Sequence, residues 1–320
     1  MGKSLMVTGV GAIIGQGIVK SLKEAGTGLR LVGIDANPFS VGFKWVDIHY
    51  TVPRTDDPAW AGCITDICKE ENVALIFPGI EQDVKALLRN RSEIITETGA
   101  LPLLNSPEAL NLGFDKWELY DYAVRNNIKV PKTQLVSEVE SNQDFVYPLI
   151  LKPRRGMAGK GLYKIECERE LDAQLNVIKK SDYMLQEFVG TDEEEYTVSI
   201  FGYHDGRLSP PFALKRKLNY GSTFEAETFE SQELTGIVTQ IAERLKIVGP
   251  TNFQFRKAGD EFFLLEINPR FSSSTSIKSA FGFNESLMAV KSFLLGESPV
   301  KLDLKKGRCL RYISDCVTYT

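Results

Sequence analysis

The first hundred residues alternate short apolar runs with amphipathic stretches. Leu5–Thr8 reads as a strand, and Ile14, Ile18 and Leu22 recur at helical spacing before Gly26, which suits the position just past a helix end. Leu29–Asp35 is a second strand ending in an acid, and Val73–Pro78 a third that runs into a loop, Gly79–Asp83. Such alternation predicts a parallel sheet with crossover helices. Ligands of these sheets lie beyond the carboxyl ends of the strands, where Gly9–Gly15 and Gly79–Asp83 fall, so Glu81 and Asp83 are candidate substrate contacts.

After Pro102 the pattern changes. Asp115 is placed to cap a helix with Glu118 at its third position and an apolar stripe of Trp117, Tyr120 and Val124. Short strands then flank a glycine-rich loop within Leu149–Ile165, and Leu171, Leu175 and Ile178 mark a helix; this reads as a small mobile module. Strands dominate thereafter: Tyr183–Phe188, Tyr196–Tyr203, Leu208–Leu214, Thr251–Arg256 and Phe262–Ile267. A helix capped by Ser231 turns Leu234, Ile237, Val238, Ile241 and Leu245 inward, and another runs from Glu285 to Leu295 and stops at Gly296. The fold expected is an α/β unit with a Rossmann-like parallel sheet over 1–104, then an α+β part in two lobes, 105–184 and 185–320.

Composition narrows the function classes. A chain of 320 residues exceeds what one core usually serves. A hydrophobic share of 43% and a charged share of 25% describe a soluble globular protein. The formal net charge of -4 gives no nucleic-acid footprint, and no apolar run approaches the roughly 18 residues of a membrane span. Met1-Gly2-Lys3-Ser4 leads straight into a strand without the layout of a signal peptide, so a cytoplasmic location is expected. The five cysteines form no CxxC pair, which fits reduced thiols. With only two histidines, a hard, oxygen-bound metal is expected rather than a histidine-rich metal centre or relay.

Four segments carry candidate chemistry. In Thr251–Arg256, the turn Ala258-Gly259-Asp260 and Phe262–Arg270, alternation puts Glu266 and Asn268 on one strand face. The turn brings Gln254 within a rung or two of Glu266, and Arg270 lies just beyond the strand end. One carboxylate and two amide oxygens suit Mg²⁺, which takes its other ligands from water and substrate phosphates; a polar face meeting solvent is the alternative. In Ile150–Gly161 a strand delivers Lys152 into a loop with Gly156, Gly159 and Gly161, whose backbone N–H groups suit phosphate. The P-loop spacing is absent, and a flexible basic hairpin tip would look the same. Gln186-Glu187-Phe188-Val189-Gly190 and the acids Asp192–Glu195 form an extended linker fit for an adenine edge and ribose hydroxyls, or simply a solvated acidic turn. Gly9-x-Gly11-x-x-x-Gly15 with Asp35 departs by one residue from the dinucleotide fingerprint, so close packing or a substrate carboxylate explains it better.

The first three of these segments together resemble the ATP-grasp superfamily, closest to the large-chain type of carbamoyl phosphate synthetase. The likeness spans nearly the whole chain. Its most specific part is Asn252-Phe253-Gln254-Phe255 with Glu266-Ile267-Asn268-Pro269-Arg270, beside Leu151-Lys152-Pro153 and Gln186-Glu187-Phe188-Val189. The resemblance implies a pre-ATP-grasp domain followed by the two-lobed nucleotide clamp. It implies that Lys116 and Lys152 contact ATP phosphates and that Gly156–Gly161 closes over them. Glu187 and Val189 would frame adenine, and Glu195 would bind ribose. Gln254, Glu266 and Asn268 would hold one or two Mg²⁺ ions, for which Mn²⁺ would substitute. Arg270 would face the transferred phosphoryl group. Lys215-Arg216-Lys217 resembles the basic segment such ligases aim at substrate or phosphate, or is a solvated strand end; Ser272 joins the substrate candidates.

The chain is too short for the duplicated synthetase and has no glutaminase or biotin-carrier segment, which favours a stand-alone carbon–nitrogen ligase. The implied reaction phosphorylates a small-molecule carboxylate with MgATP and transfers the acyl group to an amine; a homodimer is possible on the same footing. Three rivals remain: phosphorylation without ligation, a non-catalytic nucleotide-binding module, and a nicotinamide-dependent oxidoreductase built on Gly9–Gly15.

Overall fold

The computed structural model of the protein describes residues 2–138, 145–156, 159–219 and 221–317. The first elements are β1 (Ser4–Thr8), α1 (Ile13–Glu24), β2 (Arg30–Asp35), β3 (Ile48–Thr51), α2 (Trp60–Glu70), β4 (Val73–Phe77), α3 (Glu81–Arg89), α4 (Arg91–Thr98) and β5 (Leu101–Pro102). Their strands form a parallel sheet of order β3-β2-β1-β4-β5. The strand order reverses between β1 and β4, so the ligand crevice of such a sheet opens at Gly9 and Gly79. The sequence reading missed β3, whose four residues alternate half-buried and exposed positions and make no apolar run. It also took Glu81–Asp83 as loop; these residues are the first turn of α3, where acids complement the positive helix end.

Next come α5 (Pro107–Phe114), α6 (Lys116–Arg125), β6 (Thr133–Leu135), β7 (Leu149–Pro153), β8 (Tyr163–Ile165), α7 (Glu168–Leu175) and β9 (Tyr183–Glu187). Strands β6-β9-β7-β8 make a four-stranded antiparallel sheet. The remainder is β10 (Glu195–Gly202), β11 (Phe212–Asn219), β12 (Ser222–Phe229), α8 (Gln232–Arg244), β13 (Gly249–Ala258), β14 (Glu261–Asn268), α9 (Thr275–Ala280), α10 (Glu285–Ala289) and β15 (Arg308–Leu310). Its strands form a six-stranded antiparallel sheet, β14-β13-β10-β11-β12-β15. The strand expected at 208–214 begins at Phe212 and extends through the basic segment to Asn219, and β12 was not foreseen. The helix expected over 285–295 is α10 followed by a π-helical turn, Val290–Leu294. Among the described residues no helix is long and apolar enough to cross a membrane.

Local caps behave as the side chains dictate. Asp115 Oδ1 accepts from the N–H groups of Trp117 and Glu118 and starts α6. The buried stripe of that helix is Leu119 and Ala123, not Trp117, Tyr120 and Val124. Val124 is half exposed and the Trp117 and Tyr120 rings lean on each other at a tilt instead. Leu119, with Ala109 and Leu112 of α5, packs beneath the six-stranded sheet against Val198, Phe253 and Ile267. Residues 107–125, grouped above with the small lobe, therefore bury their apolar side on the large sheet. On the opposite side of the molecule, Leu5, Val7 and Ile18 share one core with Phe201, Phe271, Phe283 and Met288. The parallel sheet is thereby fixed to the large one, which sets the width of the cleft between them.

Gly113 marks where α5 presses on the end of β14: a β-carbon there would stand 2.4 Å from Pro269 Cδ, next to Asn268. We expect Gly113→Ala to destabilise the protein by about 1–3 kcal/mol through overpacking. Gly236→Ala, in α8 with open space around it, should stabilise by about 0.5–1 kcal/mol. Urea titrations of both variants check this; equal shifts would contradict the packing argument.

Candidate active site

One face of the large sheet changes character along its length. Alternation puts Glu195, Thr197, Ser199 and Phe201 of β10 on the same side. Register aligns Glu195 with Arg216 and Arg256, Thr197 with Gln254, and Ser199 with Asn252. Phe201 sinks into the shared core. Thr197 and Ser199 are buried and donate to Asn252 Oδ1. At the open end Glu195 accepts from Arg216 Nη2 at 2.7 Å and from Arg256 Nη2 at 3.3 Å. The Arg256 guanidinium also lies over the Phe188 ring, 4.6 Å from its centre.

The β13–β14 register settles what spacing left open. Gln254 pairs with Glu266 and Asn252 with Asn268, while Phe255 pairs with Leu264. Leu265 is thus the extra residue of a bulge. Without it Leu264 would share the face of Glu266; with it Leu264 drops into the core while Leu265 and Glu266 face the cleft. Asn268 Nδ2 donates to Glu266 Oε2 at 3.2 Å, and Lys116 Nζ lies 3.8 Å from Glu266 Oε1.

Two lysines converge here from different elements. Lys116, at the start of α6, donates to Gly156 O at 2.8 Å. Asp115 ties that helix to the loop, accepting from Arg154 Nε at 2.7 Å and from Arg155 Nε at 3.0 Å. Burial alone would raise the Asp115 carboxyl, but the two guanidiniums hold it below its ordinary range. Lys152 of β7 is buried and donates to Gln186 Oε1 at 2.8 Å, and Gln186 Nε2 donates on to Thr133 Oγ1. Burial first, then the Lys116 charge, brings the Lys152 ammonium down from 10.5 to about 8. Arg270 follows the strand end, 3.8 Å from Glu81 Oε2.

These side chains line one cavity of about 640 Å³ between the two antiparallel sheets and the crevice of the parallel sheet. The cavity brings together Glu81, Lys116, Lys152, Gly156, Gly159, Glu187, Val189, Glu195, Arg216, Gln254, Glu266, Asn268, Arg270 and Ser272. Three candidates lie elsewhere. Gly161 packs against Pro153 and the Tyr183 hydroxyl. Lys215, one residue out of phase with Arg216, points to the opposite sheet face, where it pairs with Glu194 at 2.6 Å. Asp83 is buried behind the crevice, where Thr8 Oγ1 donates to it; burial lifts its carboxyl to about 7. Met157 and Ala158 of the glycine-rich loop lie outside the described residues. The sequence reading gave no individual role to Arg256, Gln186 or Asp192, all of which line the cavity. Arg256 was within reach, two residues along the same strand face as Gln254.

Gln254, Glu266 and Asn268 present only oxygens to a cation, a donor set that suits magnesium better than a soft metal. Among the described residues no group of three or more His, Cys, Asp or Glu is arranged to hold a metal. A single carboxylate with two carboxamides is a weak site by itself, fitted to an ion that arrives with phosphate oxygens. The Gly9–Gly15 turn, by contrast, is packed shut. A β-carbon on Gly15 would stand 2.3 Å from Gly9 O. Asp35, the would-be ribose acid, accepts from the Gly11 and Asn37 N–H groups. Within that turn, Ala12–Ile14 line the cavity.

Residues 179–316 match a family model described as ATP-grasp in the biosynthetic pathway with Ter operon, and residues 5–101 match the PylC-like N-terminal domain. The fold is similar to N5-carboxyaminoimidazole ribonucleotide synthetase from Thermus thermophilus (TM-score 0.74, 18% identity, 95% of this chain and 81% of that one). The enzyme of that name from Thermotoga maritima gives a TM-score of 0.67 at 22% identity, over 96% and 77% of the two chains. The biotin carboxylase domain of Hydrogenobacter thermophilus 2-oxoglutarate carboxylase, a dimer in complex with MgADP, ADP and bicarbonate, gives 0.74 at 16% identity, over 95% and 73%. With its parallel sheet, its two antiparallel sheets and both matched segments, the chain has the ATP-grasp fold.

Proposed function

We propose that this protein is an ATP-dependent carboxylate–amine ligase. The observation that carries this reading is the meeting of Gln254, Glu266 and Asn268 with Lys116 and Lys152 on the walls of one cavity. The adenine would lie against Glu187–Val189, between apolar side chains such as Ile150 and Leu265 that line the same space. Glu195 is clamped by two arginines, so ribose hydroxyls would share its oxygens or turn to the exposed Asp192 on the same wall. Lys116 and Lys152 would bind phosphate oxygens, and Gln186 holds the second in place. Gln254, Glu266 and Asn268 would hold magnesium, which when bound supplies charge neutralisation on those oxygens.

The substrate carboxylate would enter from the crevice side, where Arg270, Glu81 and Ser272 lie. Its oxygen attacks the γ-phosphorus in line as the bond to ADP breaks, and Arg270 stabilises the spreading charge. An amine then attacks the acyl carbon and phosphate departs. Closure of the loop at Gly156 and Gly159 keeps water from the acyl phosphate. No Ser, Cys or His nucleophile is required. Substrates are a small-molecule carboxylate and an amine. A homodimer is the assembly we propose, by likeness to the Hydrogenobacter domain.

Two outcomes test the reading. Glu266→Ala should lower carboxylate-dependent ADP release by at least about 100-fold with the circular dichroism spectrum unchanged; turnover near the wild-type rate would overturn the metal assignment. Lys152 sets a pH signature. Its folded value lies below its unfolded one, so between pH 8 and 10.5 the unfolded chain binds more protons and this group makes stability rise with pH. A triphosphate needs the charged form, so binding of MgAMP-PNP should weaken above pH 8 by up to about tenfold per unit. It should take up a proton at pH 9, read by calorimetry in two buffers. Lys152→Met should abolish that uptake; uptake persisting in the variant would contradict the assignment.

A further inference from the structure

The last strand of the chain reaches the substrate end of the cavity. β15 pairs with β12 at the sheet edge, and the Arg311 N–H just after it donates to Phe224 O at 2.8 Å. The Arg311 guanidinium then bridges two segments. Nη1 donates to Thr223 O at 2.6 Å and Nη2 to Ser273 O at 2.7 Å. The same two segments are joined again where the Thr223 N–H donates to Ser273 Oγ at 3.3 Å.

Both bridged segments are cavity walls. Ser222 lines the cavity from β12, and Ser272 and Ser273 line it from the loop between Arg270 and α9. Thr223 Oγ1 also accepts from Arg216 Nη1 at 3.3 Å, and Arg216 is the cavity arginine that holds Glu195. On its far side the loop is anchored to buried charge: the Ser272 N–H donates to Thr275 Oγ1, which donates to Glu285, the fully buried partner of Lys278. The Arg270–Thr275 loop is thus locked into the core at Thr275, and Ser273 in its middle is held by a side chain from the C-terminal segment.

We propose that Arg311 is a positioning residue that straps the Ser272–Ser273 loop to β12 and so sets the shape of the substrate end of the cavity, leaving the nucleotide end alone. A guanidinium suits this task because its planar fork satisfies two carbonyls at once, which an ammonium on a flexible stem does not do in fixed geometry. Arg308, three residues earlier, makes the control: its exposed side chain pairs with Glu227, farther along β12 from the cavity-lining Ser222, and not with Thr223 or Ser273. The substrate role rests on the ligase reading, whereas the strap itself does not.

The test uses the full chain in three variants, Arg311→Ala, Arg311→Lys and Arg308→Ala. Amide hydrogen exchange should rise by about tenfold or more at Thr223 and across 272–275 in Arg311→Ala, less in Arg311→Lys, and not in Arg308→Ala. The Kd for MgAMP-PNP should stay within about twofold of wild type in all three. The KM for whichever carboxylate supports ADP release should rise by about tenfold in Arg311→Ala, while the KM for MgATP holds. Unchanged exchange at Thr223 and 272–275 would overturn the strap, as would equal exchange in the Arg308 variant or a parallel loss of nucleotide affinity. Should Arg311→Ala fail to fold, Arg311→Lys decides by the same readouts. If the wild type releases no ADP with any carboxylate, the ligase reading falls and the exchange arm still judges the strap.

Discussion

Glu266 is the point on which the site depends. It stands opposite Gln254 across one rung, two residues from Asn268, and 3.8 Å from the ammonium of Lys116 on a different element. The local balance is one carboxylate against two lysines, so the pocket holds an excess of positive charge until an anion enters. Burial first, and the Lys116 charge second, bring the Lys152 ammonium down to about 8. A triphosphate with its cation reverses the balance. The walls are therefore complementary to a ligand carrying both signs of charge, a demand few small molecules other than a metal-bound nucleotide meet.

The rest of the architecture keeps those groups in register. The bulge at Leu265 lets one strand face two environments, placing Leu264 in the core and Glu266 in the cleft. Buried hydroxyls of Thr197 and Ser199 fill the sheet face between apolar Phe201 and charged Glu195, both donating to Asn252 Oδ1. The common core of Leu5, Ile18, Phe271 and Phe283 fixes the crevice of the parallel sheet against Arg270. The proposed nucleotide and substrate ends thus share one space while resting on different supports.

Much of this was legible in the chain. Alternation along Phe262–Asn268 put Glu266 and Asn268 on one face, and the short turn at Gly259 forced Gln254 alongside. The ATP-grasp resemblance rested on these residues and on Lys152, and the fold agrees. What sequence could not supply was parity. A bulge shifts every later residue to the other face, and nothing in Phe263-Leu264-Leu265 announces where it falls. Parity also separated Lys215 from Arg216, two neighbours that the chain presents alike. The stripe of α6 was misread because aromatic residues at helical spacing look like core, whereas the tight contact with α5 and β14 admits Leu119 and Ala123. The Arg311 contacts span 38 and 88 residues to Ser273 and Thr223 and leave no local pattern.

In the proposed site, oxygens of two adjacent strands grip a divalent cation beneath a triphosphate. Crystals grown with AMP-PNP and Mn²⁺, measured at the manganese absorption edge, address it directly. The expected result is an anomalous peak within coordinating distance of Glu266 and Asn268, with the β- and γ-phosphates on the same ion and Lys152 against them. Manganese bound elsewhere, or nucleotide bound with Glu266 still turned to Lys116 and no metal nearby, would contradict it.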